Sequence, residues 1–205
     1  VSIDRNNPTN WMCQINSGDP STYSYHYTTN SGTLWNDQSF GAGYGTTVTN
    51  DQAPGVYWYS NFNNKVYRKT AGIAGPWSQL GTDLPETPIG VINVGRYSAG
   101  YAPVYAVVPS TSTKIRLWDG SNWVIRNSGL PAAAYIGDVV NHPSNNNIAM
   151  CYTAGSFPGQ KIYRTTNRGV NWLNVSGDFP PLSVRSLLMH PTNNNIMFAS
   201  VQYNG

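Results

Sequence analysis

Several carboxylates could do chemistry if the fold brought two of them together. Paired acids hydrolyse a glycosidic bond when one protonates the leaving oxygen and the other acts as nucleophile or base. The acids expected near one face of the molecule are Asp19, Asp83, Glu86, Asp138 and Asp178. Their spacing marks out no pair, so the sequence assigns no catalytic residue.

The histidines and cysteines give no sign of a metal site or a nucleophile. His26 lies in a strand-like run, while His142 and His190 each precede a proline in a turn, so structural roles are expected. None of the three has the spacing of a zinc site. Cys13 and Cys151 lie in short apolar runs without CxxC spacing, which favours buried thiols over a disulfide. No cofactor and no metal are expected.

Aromatic side chains in polar loops suit a different task, which is stacking on a neutral ligand such as a sugar. The loops concerned are rich in Asn, Ser, Gly and Pro. The candidates for this binding surface are Phe40, Tyr44, Phe62, Tyr135 and Phe157. Ordinary solvated loops have the same composition, so a binding role and a plain surface role both stay open.

A repeat indicates which elements would position these residues. Tryptophans recur at intervals of roughly 40 to 50 residues, at Trp35, Trp77, Trp123 and Trp172. A strand-like run precedes each of them, and two more short runs lie further upstream. This pattern predicts units of four short β-strands joined by Asn, Gly and Pro turns. We therefore predict an all-β chain of four-stranded antiparallel blades at 1–36, 46–80, 90–127 and 136–176, with a half blade at 184–202.

Two hairpins before these tryptophans share a motif, in the segments TTNSGTLW and TTNRGVNW. Its Asn can turn its side-chain amide back onto nearby backbone groups, and its Gly supplies the positive φ of a tight hairpin. The motif predicts a hairpin clasp built from Thr28, Asn30, Gly32 and Trp35 and from Thr165, Asn167, Gly169 and Trp172. The segments KTAGIAGPW and LWDGSNW depart from the motif and are expected to keep the Trp and lose the clasp.

The motif resembles the Asp-box of the BNR-repeat families. These families include sialidases, family 74 xyloglucanases, sortilin-type receptors and many secreted bacterial surface proteins, and this chain is most similar in character to the last group. The resemblance covers nearly all of the chain and implies a β-propeller. It implies no catalytic residue, because the Asp-box of those families lies at the blade periphery and no Arg-Ile-Pro element precedes the first copy here. A ligand is expected on the opposite face, at the loops between second and third strands and the connections between blades.

Composition and net charge limit the classes of partner that can be expected. The 205 residues carry a net charge of +3 without a block of Lys or Arg, so neither nucleic acid nor an anionic membrane is an expected partner. No apolar run approaches the roughly 20 residues of a membrane-spanning helix. Charged residues make up only 10% of the chain, while Asn, Ser, Thr, Gly and Tyr are abundant, which favours an extracellular or cell-surface location.

Two functions stay open. The first is a scaffold or binding module for a glycan or another surface protein, and the second is the N-terminal part of a propeller glycoside hydrolase. The lack of catalytic markers favours the first. Four and a half blades are also expected to belong to a larger ring of about six to eight, completed by the remainder of the chain's own propeller or by a partner chain.

Overall fold

The computed structural model describes residues 1–4, 7–16, 23–38, 48–50, 58–86, 89–98, 101–108, 110, 114–154, 159–193 and 195–202. Within these ranges every named element is a β-strand. The same ranges contain no helix long and apolar enough to cross a membrane. The strands form four sheets of four strands and one sheet of two.

We number the strands along the chain and call the sheets blades. Blade 1 contains β1 (Ser2–Ile3), β2 (Trp11–Asn16), β3 (Tyr23–Thr28) and β4 (Asn36–Asp37). Blade 2 contains β5 (Val48–Asn50), β6 (Trp58–Phe62), β7 (Lys65–Lys69) and β8 (Ser78–Gln79). Blade 3 contains β9 (Val91–Val94), β10 (Val104–Val107), β11 (Ile115–Trp118) and β12 (Trp123–Ile125). Blade 4 contains β13 (Tyr135–Asn141), β14 (Ala149–Ala154), β15 (Ile162–Thr165) and β16 (Leu173–Asn174). The half blade contains β17 (Ser183–Met189) and β18 (Met197–Gln202).

Each blade is an antiparallel meander, because every strand pairs with the next one along the chain. Tight turns make this order the simplest one, since antiparallel neighbours need only a short connection. Blade 4 has one irregularity, a register shift between Ile136 and Asp138 on its first strand. The predicted fold class, four-stranded antiparallel blades with a half blade, is confirmed.

The blades are arranged with their first strands innermost. The first strand of each blade contacts the first strand of the next, from β1 to β5, β9, β13 and β17. The fourth strands, with only two or three residues each, make no such chain of contacts and lie on the outside. Side chains of the first strands are therefore the ones that line the axis of the molecule.

The hydrophobic core lies between blades rather than within them. Strand β10 shows why, since Val104 and Ala106 pack in the cluster shared with blade 2, whereas Tyr105 and Val107 pack in the cluster shared with blade 4. Side chains of a strand alternate between the two faces of a sheet, so a blade with a neighbour on each side buries both sets. This explains the continuous apolar run in the sequence of β10.

The two cysteines lie in strands and form no disulfide with each other. Cys151 in β14 is fully buried and Cys13 in β2 is half-buried. Burial raises the pKa of both thiols, so neither is primed as a thiolate nucleophile. The prediction of a buried thiol in a strand is confirmed for Cys151, whereas Cys13 lies in its strand but is only half-buried.

Candidate functional site

Of the five aromatic residues predicted to bind a glycan, two lie within the described residues. Tyr135 is the first residue of β13 and is 49% exposed, as a ligand-stacking side chain must be. The backbone of Phe62 ends β6, where it pairs with Lys65. Phe40, Tyr44 and Phe157 lie outside the described residues. A shared aromatic surface on this face therefore stays a prediction.

The opposite face, which we call the turn face, carries the turns between first and second strands and the hairpins between third and fourth strands. The two kinds of turn contact each other within a blade. Ser31 donates its backbone N–H to the carbonyl of Thr9 in blade 1, and Arg168 donates to the carbonyl of Asn147 in blade 4. The described parts of the turn face are 4, 7–10, 29–35, 70–77, 95–98, 101–103, 119–122, 142–148, 166–172, 190–193 and 195–196.

The hairpin of blade 4 is held by its own side chains. The Thr165 hydroxyl donates to Asn167 Oδ1 at 2.9 Å and accepts the Gly169 N–H at 2.8 Å. Asn167 Oδ1 also accepts the N–H of Asn171 at 3.0 Å. Gly169 has a φ of 76°, in the left-handed region that favours glycine. The clasp therefore satisfies backbone N–H groups that a tight turn leaves without strand partners.

Blade 1 repeats this geometry. The Thr28 hydroxyl donates to Asn30 Oδ1 at 2.7 Å and accepts the Gly32 N–H at 3.1 Å, and Asn30 Oδ1 accepts the Leu34 N–H at 2.9 Å. Gly32 has a φ of 87°. The two tryptophans differ, because Trp172 packs against blade 3 and is 2% exposed, whereas Trp35 is 39% exposed. No described blade precedes blade 1 to cover it.

The other two hairpins use different clasps. In blade 3, Asp119 Oδ1 accepts the backbone N–H groups of Ser121 and Asn122, both at 2.9 Å, so an acid holds this hairpin in place of the Thr–Asn clasp. The shortened loop brings an acid within reach of two N–H groups. In blade 2, Lys69 ends the third strand and its fully buried Nζ donates to the Ile73 carbonyl at 2.7 Å. Sequence reasoning did not anticipate a buried amine at this position.

The histidines on the turn face act as backbone acceptors. His142 Nδ1 accepts the N–H groups of Ser144 and Asn145, each at 3.1 Å. His190 accepts the Asn193 N–H in the same way at 3.1 Å. This arrangement fixes the proton on Nε2, and it uses the imidazole to hold the turn.

An axial cavity of about 690 Å³ lies among the first strands of blades 1, 3 and 4 and the half blade. Among the described residues that line it, Asp138 is the only side chain with an acid group. Asp138 lies at the register shift of β13, and its Oδ1 accepts the Val139 N–H at 2.7 Å. Burial raises its pKa from 3.8 to about 6, so it changes charge near neutral pH. Two asparagines of the cavity wall, Asn93 and Asn141, are linked by a hydrogen bond of 2.8 Å.

A second cavity is a polar cleft of about 370 Å³ on the turn face, which we call the arginine cleft. Its lining residues are Arg96, Tyr97 and Ser98 of blade 3 and Ser144, Asn145, Asn146, Asn147 and Arg168 of blade 4. Asn146 joins the two walls, because its Nδ2 donates to the Arg96 carbonyl at 2.6 Å and its Oδ1 accepts the Arg96 N–H at 2.9 Å. This reciprocal pair fixes the distance between the blades at the cleft.

Arg168 is oriented toward the cleft by three contacts. Its backbone has a φ of 57° in the clasp turn. Its Nε donates to Asn147 Oδ1 at 3.0 Å, its Nη1 donates to the Tyr101 hydroxyl, and its guanidinium lies 5.8 Å from the centre of the Tyr101 ring. In the described part of the chain neither Arg96 nor Arg168 forms an ion pair, and no carboxylate lines the cleft. The cleft therefore carries positive charge.

Comparison with known proteins identifies the architecture. No family model and no curated protein matches the chain. Among solved structures it is similar to YCF48 bound to a D1 peptide, at 15% identity and a TM-score of 0.59, covering 87% of this chain and 55% of that one. It is also similar to YCF48 from Cyanidioschyzon merolae, at 13% identity and a TM-score of 0.56, covering 87% and 58%. A GH74 xyloglucanase from Xanthomonas campestris matches at 14% identity and a TM-score of 0.50, covering 97% and 35%.

The fold is that of a β-propeller. At these identities the likeness concerns the fold alone. The chain spans less than two thirds of each of these three proteins, and about 55% of the first. A function must therefore be argued from the chain's own residues.

The acids considered for hydrolysis have separate surroundings wherever the structure describes them. Glu86 forms a two-point ion pair with Arg116, with both N–O distances at 2.7 Å. Asp83 lies 3.6 Å from Lys65 Nζ. Asp178 is exposed, and Asp19 lies outside the described residues. Of the acids in this set that the structure describes, Asp138 alone lines one of the two cavities above.

The described residues contain no group of three or more His, Cys, Asp or Glu that could hold a metal ion. The arginine cleft was the site that sequence reasoning missed. Arg96 lies just past β9 and Arg168 occupies a variable position of the clasp, so they are far apart in sequence. Only the packing of blade 3 against blade 4 joins them.

Proposed function

We propose that this chain is a non-catalytic scaffold that binds a segment of a protein partner on its turn face. The observation that carries the proposal is the arginine cleft. It contains two guanidinium groups that form no ion pair within the described residues, and Asn and Ser residues make up most of the rest of its lining. Guanidinium groups recognise carboxylates through paired hydrogen bonds, and amide side chains both donate to and accept from a peptide backbone.

The size and composition of the cleft fit a peptide better than a sugar. A volume of about 370 Å³ holds a few residues of an extended chain. The ring of Tyr101 is already engaged with the guanidinium of Arg168. Tyr97, the aromatic residue among the described lining residues, is partly buried against the core between blades 2 and 3. The structure of YCF48 with a D1 peptide supports the proposal, because it is a propeller of similar fold with a bound peptide. The uncharged polar composition supports an extracellular or cell-surface location as part of the proposal.

The hydrolase alternative has less support. Hydrolysis by two carboxylates needs a second acid within about 5 to 10 Å of the first. Asp138 has no acidic neighbour among the described residues that line the axial cavity, and Asp83 and Glu86 are each engaged with a cation. Activity on a xyloglucan substrate that disappears in an Asp138→Asn variant would establish the alternative.

The test is a selection of peptide ligands from a random displayed library, followed by titration of the selected peptides. We expect Arg96→Gln and Arg168→Gln to weaken binding about tenfold or more, because each removes a charge-assisted hydrogen bond. The matched control is Arg185→Gln, the same change at an exposed position outside the cleft. Equal loss in all three variants, or no loss in any, would contradict the proposal.

A further inference from the structure

The asparagines of the arginine cleft use their amide oxygens within the protein. Asn145 Oδ1 accepts the backbone N–H of Asn147 at 3.0 Å. Asn146 Oδ1 accepts the Arg96 N–H at 2.9 Å. Asn147 Oδ1 accepts the Nε–H of Arg168 at 3.0 Å. Each of these oxygens is therefore already engaged once, and the cleft has limited capacity to accept hydrogen bonds from a ligand.

The N–H groups of the cleft are mainly available. Within the described part of the chain, Arg96 forms hydrogen bonds through its backbone only. Arg168 uses Nε on Asn147 and Nη1 on Tyr101, which leaves its Nη2 without a described partner. The Nδ2 groups of Asn145 and Asn147 donate to no described residue either. Donors therefore outnumber acceptors in the space that a ligand would enter.

The charge and the arrangement of these donors favour one shape of anion. No described residue of the lining is an acid, and the two guanidinium groups come from different blades, Arg96 from blade 3 and Arg168 from blade 4. A carboxylate is planar, and a single guanidinium fork can satisfy both of its oxygens. A phosphoryl or sulfuryl ester is tetrahedral with three terminal oxygens, so it can accept from both guanidinium groups and from amide N–H groups at once. The donor-rich lining matches the tetrahedral group better.

We propose that the arginine cleft binds a tetrahedral oxyanion ester, phosphoryl or sulfuryl, carried on a side chain of the partner segment. This inference rests on the proposed peptide-binding function and names the group that the cleft recognises in the peptide. Arg96 and Arg168 donate to the terminal oxygens, and the Nδ2 groups of Asn145 and Asn147 donate beside them. Clusters of arginine recognise phosphorylated peptides through the same kind of charge-assisted hydrogen bond.

The turn that holds these asparagines is repeated in the half blade, which supplies a matched control. In blade 4 a histidine Nδ1 accepts the N–H of Asn145, and Asn145 Oδ1 accepts the N–H of Asn147 at 3.0 Å. In the half blade a histidine Nδ1 accepts the N–H of Asn193, and Asn193 Oδ1 accepts the N–H of Asn195 at 3.0 Å. Asn193 is not among the residues that line the arginine cleft. A substitution made in both turns therefore separates an effect on the turn from an effect on the cleft.

The first test uses small probes that carry the group without a peptide sequence. These are the N-acetyl amides of phosphotyrosine, sulfotyrosine, tyrosine and glutamate, titrated into the 205-residue chain by calorimetry. We expect one or both esters to bind about tenfold or more tightly than the glutamate amide, because each accepts more charge-assisted hydrogen bonds, and we expect no saturation with the tyrosine amide. The tighter of the two esters identifies the group, and equal affinities would assign both, because the second negative charge of the phosphoryl group would then contribute nothing.

Substitutions locate the binding. Arg96→Gln and Arg168→Gln should each weaken binding of the tighter ester about tenfold or more. Asn145→Asp should have a similar effect, because it keeps the acceptor for the Asn147 N–H and replaces a donor with a negative charge. Asn193→Asp is the matched control, since it makes the same change in charge with the same backbone contact outside the cleft.

Two results would overturn the inference. The first is a glutamate amide that binds as tightly as both esters, and the second is an equal effect of Asn145→Asp and Asn193→Asp. If selected peptides bind through Arg96 and Arg168 while neither ester exceeds glutamate, this inference fails and the peptide-binding function stands. If the esters bind with the expected preference and no peptide is selected, the anion site stands and the peptide-binding function fails.

Discussion

The indole Nε1 of Trp172 lies 2.9 Å from the carbonyl oxygen of Arg126, across the joint between blades 4 and 3. The same ring packs edge-on against Tyr105, at 6.3 Å between ring centres and 64° between planes. One side chain thus combines a hydrogen bond with an aromatic contact in the core that the two blades share. Joints of this kind bind the blades to each other, because a single four-stranded sheet cannot bury both of its faces.

Trp172 should therefore be a major determinant of stability. Trp172→Phe keeps a ring and loses the bond to Arg126, which should lower the free energy of unfolding by about 1 kcal/mol. Trp172→Ala should lower it by about 3 to 5 kcal/mol, because it empties a site that is 2% exposed. Urea unfolding measures both. Trp35→Ala is the control, since that ring is 39% exposed, and a loss as large as for Trp172 would contradict the assignment.

The clasp of blade 4 should contribute to the stability of its hairpin. Asn167→Ala removes the acceptor for the Asn171 N–H, at a cost of about 1 kcal/mol. Gly169→Val should cost more, because a β-branched residue does not tolerate a φ of 76°. Asn195→Ala is the control in thermal denaturation, because this asparagine is exposed and its side chain forms no hydrogen bond with another described residue. A folded Asn167→Ala protein that had lost a ligand selectively would place that ligand on the clasp itself.

Sequence patterns predicted the fold well because blade formation is local. Short alternating strands, turn residues and a tryptophan ahead of each fourth strand are all visible within about 50 residues. The arginine cleft was not predictable in this way, since Arg96 and Arg168 meet only across two packed blades. The same applies to Asp138, whose place on the axis depends on how the first strands line up. The sequence repeat predicts the structure of one blade, but a site between blades depends on how several blades pack together.

Lys69 should make stability depend on pH. Burial lowers its pKa from 10.5 to about 7, although the ring of Trp77, 4.8 Å from Nζ, favours the charged form. Between these two pH values the unfolded chain binds more protons at this lysine than the folded one. The free energy of unfolding should therefore rise with pH across that window, by at most about 1.4 kcal/mol per pH unit. Below pH 7 the folded chain bears the full free-energy cost of burying the charged amine.

Two variants isolate this effect. Lys69→Met should remove the rise between about pH 7 and pH 10, as measured by urea unfolding at several pH values. Lys65→Met is the control, because Lys65 has a partly exposed side chain beside Asp83. If Lys69→Met follows the same pH profile as the wild type, the Lys69 amine stays protonated in the folded state throughout.

The predicted glycan surface can be tested independently of the cleft. If the loop face binds a neutral sugar, Tyr135→Ala should weaken that binding about tenfold, because the exposed ring supplies a stacking surface. The affinity should change little with salt, since no charge pair takes part. A glycan array followed by titration at low and high salt measures both. Binding restricted to sialylated or sulfated sugars and lost in moderate salt would contradict this version.

Asp138 should reduce the stability of the folded chain at neutral pH. Burial raises its pKa to about 6, above the ordinary 3.8, so the folded state binds more protons than the unfolded state between these values. The stability contributed by the protonated form is therefore lost as the pH rises through this window. Above pH 6 the folded chain bears the full free-energy cost of burying the charged carboxylate. Asp138→Asn should raise the free energy of unfolding by about 1 to 2 kcal/mol at pH 7.5, with an allowance for partial exposure, and the gain should vanish near pH 4.

Asp178→Asn is the matched control, because it makes the same change at an exposed position. Urea unfolding of both variants at pH 4 and pH 7.5 separates the outcomes. A gain at pH 7.5 for Asp138→Asn alone would mean that the axial cavity keeps an acid at the expense of stability, as sites that act on a ligand do. A loss of stability at pH 7.5 would instead mean that the carboxylate has a partner in the folded chain. That result would contradict a raised pKa for Asp138.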